Sequence, residues 1–267
     1  MSLLDAVSRL TLDTPTFEPG HVWLAGAGPG NLANLTLGVV KALCEADAIV
    51  YDALVDPSVL DAAAHAETHF VGKRAGQPSA SQAAINTLLV RLAREGKRVL
   101  RLKGGDPNVF GRGAEEASVL AAANIPFRFL SGVTSAFGAL ASVGIPATLR
   151  GVNKAIILAT GHGSDMAPDL DWSALARTGQ PIVVYMGVGH LAAISDALMQ
   201  AGMPHTTAAA AIMSATLPEE RMVVATLGTI EARARQERIA SPALIVIGEI
   251  VNHRFVQGAT LLEEIEA

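Results

Sequence analysis

The run Val99-Leu-Arg-Leu-Lys-Gly-Gly-Asp-Pro-Asn-Val-Phe-Gly-Arg-Gly-Ala-Glu-Glu116 decides how the rest of the chain is read. Val99, Leu100 and Leu102 suit a partly buried strand, Gly104, Gly105 and Pro107 end it, and residues 114–123 are strong helix formers. Between strand and helix lies a loop dense in polar atoms. Two adjacent glycines let a ligand approach the main chain, and Asp106 beside them accepts hydrogen bonds. Arg101, Lys103 and Arg112 surround the same turn. A short glycine-rich turn is by itself a weak motif, equally compatible with an ordinary connection carrying solvated charges.

Upstream the pattern recurs. Residues 22–25 read as a buried strand, Gly26-Ala-Gly-Pro-Gly30 follows directly, and a helix over 36–46 leads to a second strand, 48–51, that ends at Asp52. This βαβ unit implies parallel strands. Residues 1–20 read as a tail with a short helix over 3–10. Further helices are predicted at 57–64 and 81–95, the latter capped by Ser79 or Ser81, and 127–130 as the last strand of this half. Residues 131–136 turn into a helix, Gly144-Ile-Pro146 marks a boundary, and the join between domains is expected over 138–152. The second half predicts strands at 155–160, 181–186, 208–213, 222–226 and 243–248, with helices at 190–201 and 229–238. The expected fold class is α/β: two α/β domains, 21–140 and 141–258, with mixed, mainly parallel sheets, and tails at 1–20 and 259–267. Because glycines fall at strand ends, where ligands bind in open α/β sheets, an interdomain ligand cleft is expected.

At 267 residues, 50% hydrophobic and only 17% charged, the chain can bury a substantial core. Its net charge of −5 argues against general nucleic-acid binding, which needs a basic surface. Cys44 is the only cysteine, so an intramolecular disulfide or a cysteine-based zinc site is excluded; it is expected in the core, and a reducing cytoplasm fits best. No metal is expected. Asp5 and Arg9 precede any long apolar stretch, so a signal peptide is not indicated. Residues 129–149 and 197–218 lack charge over about the length of a membrane span, but glycine, proline and polar side chains interrupt both. They read as buried loops and helices, and no membrane association is expected.

Residues 26–30, with Asp47 and Asp52 beyond, invite a dinucleotide-binding reading, and a nicotinamide-dependent dehydrogenase is the first alternative from another class. Two details oppose it. The third fingerprint glycine falls on Asn31, and Pro29 removes an N–H where a pyrophosphate needs donors. Such a loop suits a ligand without phosphate, such as an adenosyl group attached to a sulfonium.

The motifs GAGPG (26–30), YDALV (51–55), GKRAG (72–76), RLKGGDPNVFGRGAEE (101–116), GVTSA (132–136), GIPATLRG (144–151), TGH (160–162), VVYMG (183–187) and SPALIVIGEIV (241–251) occur in this order. Together they resemble uroporphyrinogen-III C-methyltransferase, in the S-adenosylmethionine-dependent tetrapyrrole methylase family, from His21 to Val251. The resemblance is to the methyltransferase part alone, without the dehydrogenase–chelatase portion of siroheme synthases. It implies S-adenosylmethionine as methyl donor, S-adenosylhomocysteine as product, and cofactor contacts from Pro29, Gly104, Gly105, Asp106, Thr134, Ser135, Met186, Ala215 and Ala243. Read from its strand alone, Met186 is equally a core residue.

The implied substrate is a reduced tetrapyrrole with eight carboxylates, to be met by Lys73, Arg74, Arg101, Lys103, Arg112 and Arg150, with Glu115 and His162 also on the substrate side. Arg74 and Arg101 are equally compatible with solvated surface charges. Two methyl additions are implied, giving precorrin-2 by way of precorrin-1, in a homodimer. Alignment and exclusion of water are expected to supply most of the rate. Arg112 is read as positioning a carboxylate, because a guanidinium is hard to deprotonate, and Asp52 or a water as handling protons, with Glu115 as the second-line candidate. Asn31, Ala53, Asn108, Ser131 and Leu149 depart from the family's usual residues and bear on substrate affinity. The rival readings are a later corrin-ring methyltransferase of the same fold, the dehydrogenase, and a tetrapyrrole-binding protein without turnover.

Overall fold

The computed structural model describes residues 9–11, 13, 15–72, 81–161 and 170–255. The chain divides after Thr134 into two compact units. The division falls earlier than the expected join over 138–152, because helix Ser135–Ser142 buries Ala136, Ala139 and Leu140 with Val183, Ala210 and Val246 of the second unit.

The first unit is built on β1 (Val22–Gly26), β2 (Ala48–Tyr51), β3 (Glu67–Phe70), β4 (Val99–Lys103) and β5 (Phe127–Leu130). They form a sheet in the order β3-β2-β4-β1-β5, parallel at every pairing. Its helices are α1 (Leu37–Glu45), α2 (Gln82–Arg94) and α3 (Gly113–Ala122). Side chains alternate across a strand, so the sheet has two apolar faces. Trp23, Ala25, Ile49, Leu100 and Leu102 pack on Val39, Ala42 and Leu43 of α1, while Val22, Leu24, Val50 and Val99 pack on Leu89 and Leu92 of α2 and Leu120 of α3. Thr36 and Ser81 cap α1 and α2 by accepting the amides of Val39 and Ala84.

Three local expectations change. Cys44 is exposed, because the buried stripe of α1 runs through Val39, Ala42 and Leu43 and leaves position 44 on the outer side. The segment Pro57–Ala63 is 3-10 helix, opened by Asp56, which accepts the Ser58 amide. β3 was not legible: Glu67-Thr-His-Phe70 is a half-exposed edge strand without an apolar run.

The second unit contains α4 (Ser135–Ser142), β6 (Ile157–Thr160), α5 (Trp172–Arg177), β7 (Ile182–Tyr185), α6 (Leu191–Gln200), β8 (Ala208–Met213), β9 (Arg221–Thr226), α7 (Ile230–Gln236) and β10 (Ala243–Ile247). Its sheet has the order β6-β7-β10-β8-β9; only β6 and β7 are parallel, and the other pairings are antiparallel. One face packs Ile182, Val184, Ala211 and Ile245 on α6 and α7; the other packs Val183, Ile212 and Leu244 on α4. The uncharged stretches 129–149 and 197–218 resolve into strand, loop and short helix. No helix among the described residues is long and apolar enough to cross a membrane.

Candidate active site

In the first unit, β1 and β4 are neighbours whose connections leave in opposite directions: β1 leads through α1 on one face to β2, and β4 through α3 on the other face to β5. Such a switch point opens a crevice beyond the carboxyl ends of the strands. Both glycine loops lie there. Gly28 and Gly105 form an isolated bridge, the Gly105 amide donating to Gly28 O at 2.6 Å and the Gly28 amide to Gly105 O at 3.1 Å. A third loop joins them, since a Cβ on Gly132 would lie 2.2 Å from Gly105 O and one on Gly26 would lie 2.7 Å from Gly132 Cα. Asp106 fixes this arrangement. Its Oδ2 accepts the Gly132 amide at 3.1 Å and its Oδ1 the Asn108 amide at 2.8 Å.

The donor set at this crevice has a definite chemistry. The amides of Ala27, Gly28, Gly105 and Gly132 all donate within the protein, to Lys103 O, Gly105 O, Gly28 O and Asp106 respectively. Pro29 has no N–H. A pyrophosphate needs amides pointing at it. Four amides of these loops are thus committed within the protein, and Asp106 places a carboxylate beside them.

The charged residues around the turn separate into two groups. Arg112 is exposed at the N-terminus of α3, with φ of 58°, and its Nε and one terminal nitrogen donate to Glu115 at 2.8 and 2.6 Å. The Arg112 guanidinium holds the Glu115 carboxyl below its ordinary range. Arg101 and Lys103, by contrast, point inward: as alternate residues of β4 they share the face covered by α2 and α3, and they are 2% and 5% exposed. Both donate to Oε1 of Glu116, at 3.1 and 3.0 Å. Burial, and then the charge of Arg101, push the Lys103 ammonium below its ordinary value against the pull of Glu116. The expected substrate-side roles of Lys103 and Arg101 therefore meet a buried ion cluster, not free cations. Asp52, just past β2, accepts Arg101 at 3.3 Å and the Leu54 amide at 3.1 Å.

In the second unit, the ends of β6, β7 and β8 and the starts of β9 and β10 form one sheet edge. Met186 lies just past β7, Ala243 opens β10, and Ala215 follows β8, so the structure brings these three to one edge. Met186, Ser214 and Thr216 all have positive φ, at 54°, 50° and 69°. Left-handed backbone at non-glycine residues is costly and gathers at functional sites. Met186 is half exposed, so the core-residue alternative does not apply to it. Thr134 is buried, Ser135 opens α4, and Arg150 is exposed in the turn after α4. Lys73, Arg74 and His162 lie outside the described residues.

Two residues were missed from sequence. Gly132 stands in GVTSA, but its stacking against Gly26 and Gly105 is a long-range contact without a local signal. Glu116 did leave a signal: it sits on the Gly113, Ala117, Leu120 stripe of α3, where a carboxylate needs a partner. Among the described residues, no cluster of three or more histidine, cysteine or acidic side chains is placed to hold a metal ion.

Residues 21–231 match the family model for tetrapyrrole (corrin/porphyrin) methylases. The chain is 48% identical over 245 residues to siroheme synthase 1 of Yersinia pseudotuberculosis and 44% identical over 247 residues to the siroheme synthase of Nitrosospira multiformis, covering 91% of this chain in each case. It spans about half of each, 52% of their length. Among solved structures it is similar to the uroporphyrin-III C-methyltransferase of Thermus thermophilus in complex with S-adenosylhomocysteine, at 38% identity and a TM-score of 0.75, covering 87% of this chain and 99% of that one. A cobalt precorrin-4 methyltransferase, 24% identical with a TM-score of 0.79, shares the fold. The chain belongs to the tetrapyrrole methylase family.

Proposed function

We propose that this protein is an S-adenosylmethionine-dependent C-methyltransferase that methylates uroporphyrinogen III twice, giving precorrin-2 by way of precorrin-1. The observation that carries the reading is the donor set of the first unit's crevice, where the amides of Ala27, Gly28, Gly105 and Gly132 are already bonded and Asp106 supplies negative charge. The likeness to the Thermus thermophilus methyltransferase, over nearly all of that chain, supports the same assignment.

Bound there, S-adenosylmethionine supplies a methyl group already activated by its sulfonium. Pro29, Gly104, Gly105, Asp106, Thr134, Ser135, Met186, Ala215 and Ala243 are the residues proposed to hold it. Arg112 binds a substrate carboxylate by exchanging it for Glu115, because its fork accepts one carboxylate in bidentate fashion at a time. Arg150, Lys73 and His162 are proposed to assist on the substrate side. Each methyl addition releases a proton from the macrocycle, and the Asp52 carboxyl group, one-quarter exposed beside Arg101, is the proposed acceptor. The protein is proposed to act in the cytoplasm as a homodimer.

Calorimetric titration separates this reading from the dehydrogenase. S-adenosylhomocysteine is expected to bind and NAD to give no heat. Binding of NAD without S-adenosylhomocysteine would overturn the proposal.

A further inference from the structure

Behind the loops of the first unit lies an ion cluster that the proposed chemistry does not use directly. Glu116 is fully buried, and its Oε1 accepts Arg101 Nε at 3.1 Å, Lys103 Nζ at 3.0 Å and Gln82 Nε2 at 3.2 Å. Its Oε2 is buried without a hydrogen-bond partner among the described residues. All three donors therefore converge on one oxygen, which fixes where the Nε edge of the Arg101 guanidinium lies. One terminal nitrogen of Arg101 then donates to Val50 O at 3.3 Å and Leu102 O at 3.0 Å. The remaining terminal nitrogen reaches Asp52 Oδ2 at 3.3 Å.

A guanidinium is a rigid plane, so two anchored edges set the direction of the third. The Asp52 carboxylate is held on its other oxygen by the Leu54 amide. Glu116 and Asp52 never touch, yet the plane of Arg101 links them. Buried ion clusters are often matched in stability by well-packed apolar residues, so a stability role alone leaves this one unexplained. Two cationic side chains, Arg101 and Lys103, thus stand against two carboxyl groups, Glu116 and Asp52.

We propose that Glu116 is a positioning residue for methyl transfer, acting through Arg101 to orient the Asp52 carboxylate. The inference rests on the proposed role of Asp52 as proton acceptor. In a double-mutant cycle read by initial rates with uroporphyrinogen III and S-adenosylmethionine, Glu116→Gln is expected to lower kcat by about tenfold while leaving the affinity for S-adenosylhomocysteine within about twofold. In the Asp52→Asn background, Glu116→Gln is expected to cause no further loss of kcat. An equal loss in both backgrounds, or a loss of S-adenosylhomocysteine binding in step with kcat, would mark Glu116 as structural and overturn the proposal. Should Glu116→Gln not fold, Arg101→Lys takes its place in the same cycle, since it keeps the buried charge but lacks the fork that spans both carboxylates; the same two outcomes decide. Wild-type kcat in Asp52→Asn alone overturns both the role of Asp52 and this inference, while continued methyl transfer leaves the proposed function standing.

Discussion

Gly132→Ala tests the three-loop crevice at its tightest point. The added Cβ would stand 2.2 Å from Gly105 O and 2.7 Å from Gly26 C and Cα, where ordinary contact begins at 3.4 Å. All three neighbours are backbone, so no side chain can rotate away. Relief requires the Gly132 loop to retreat by about 1 Å, since repulsion rises steeply inside contact distance. That retreat stretches the 3.1 Å hydrogen bond from the Gly132 amide to Asp106 beyond bonding range. A bond to a charged acceptor is worth about 1.5–3 kcal/mol, and overpacking costs a further ~1–3 kcal/mol. If about 2.5 kcal/mol of this falls on the ligand-binding arrangement, Kd for S-adenosylhomocysteine rises roughly sixtyfold. Calorimetry on Gly132→Ala reads the effect directly. Gly38→Ala is the control, because a Cβ there meets nothing within 4 Å and alanine favours the helix. Wild-type affinity in Gly132→Ala, with an unchanged melting temperature, would show that the contact of the three loops does not set ligand binding.

Other consequences are as specific. Arg112→Lys loses the bidentate fork and is expected to raise KM for the tetrapyrrole by about tenfold or more with a smaller change in kcat; unchanged KM with abolished transfer would contradict a positioning role. Glu115→Gln frees Arg112 from its ion pair and is expected to lower that KM by a few-fold, as steady-state kinetics at low salt would register. Tyr185→Phe removes the hydroxyl that accepts the Ala136 amide at 3.0 Å, and urea denaturation is expected to show a loss of about 1–2 kcal/mol. Asp47 is held at about pKa 2, chiefly by its side-chain hydrogen bond with Arg98. Since the folded state favours its ionised form, its stabilisation is full above the ordinary value of 3.8 and is lost as pH falls through about 2. The pair is more than one-third exposed, so Asp47→Asn is expected to cost at most ~1 kcal/mol at pH 7 and almost nothing at pH 2 in thermal melts.

Much of the fold was legible because its signals are local. Strands such as Ala208–Met213 are short apolar runs between breakers, and Thr36 and Ser81 cap helices where hydroxyls precede periodic segments. The antiparallel pairing of β8, β9 and β10 was not legible, since strand direction within a sheet is decided by distant partners. At the site, the glycines and Asp106 were conspicuous in sequence. Their arithmetic was different, however: Gly26, Gly105 and Gly132 allow backbone to approach backbone, and the room they leave is taken by one another. Arg101 and Lys103 looked like available cations because charge is visible in sequence and burial on an alternating strand face is not, until α3 brings Glu116 across the sheet.

The most direct measurement is mass spectrometry of the tetrapyrrole after anaerobic incubation of the protein with uroporphyrinogen III and methyl-labelled S-adenosylmethionine. Two labelled methyl groups on carbon, appearing through a singly methylated intermediate with S-adenosylhomocysteine released at each step, are the predicted result. An unlabelled macrocycle, with protein shown to be folded and substrate intact, would contradict the account.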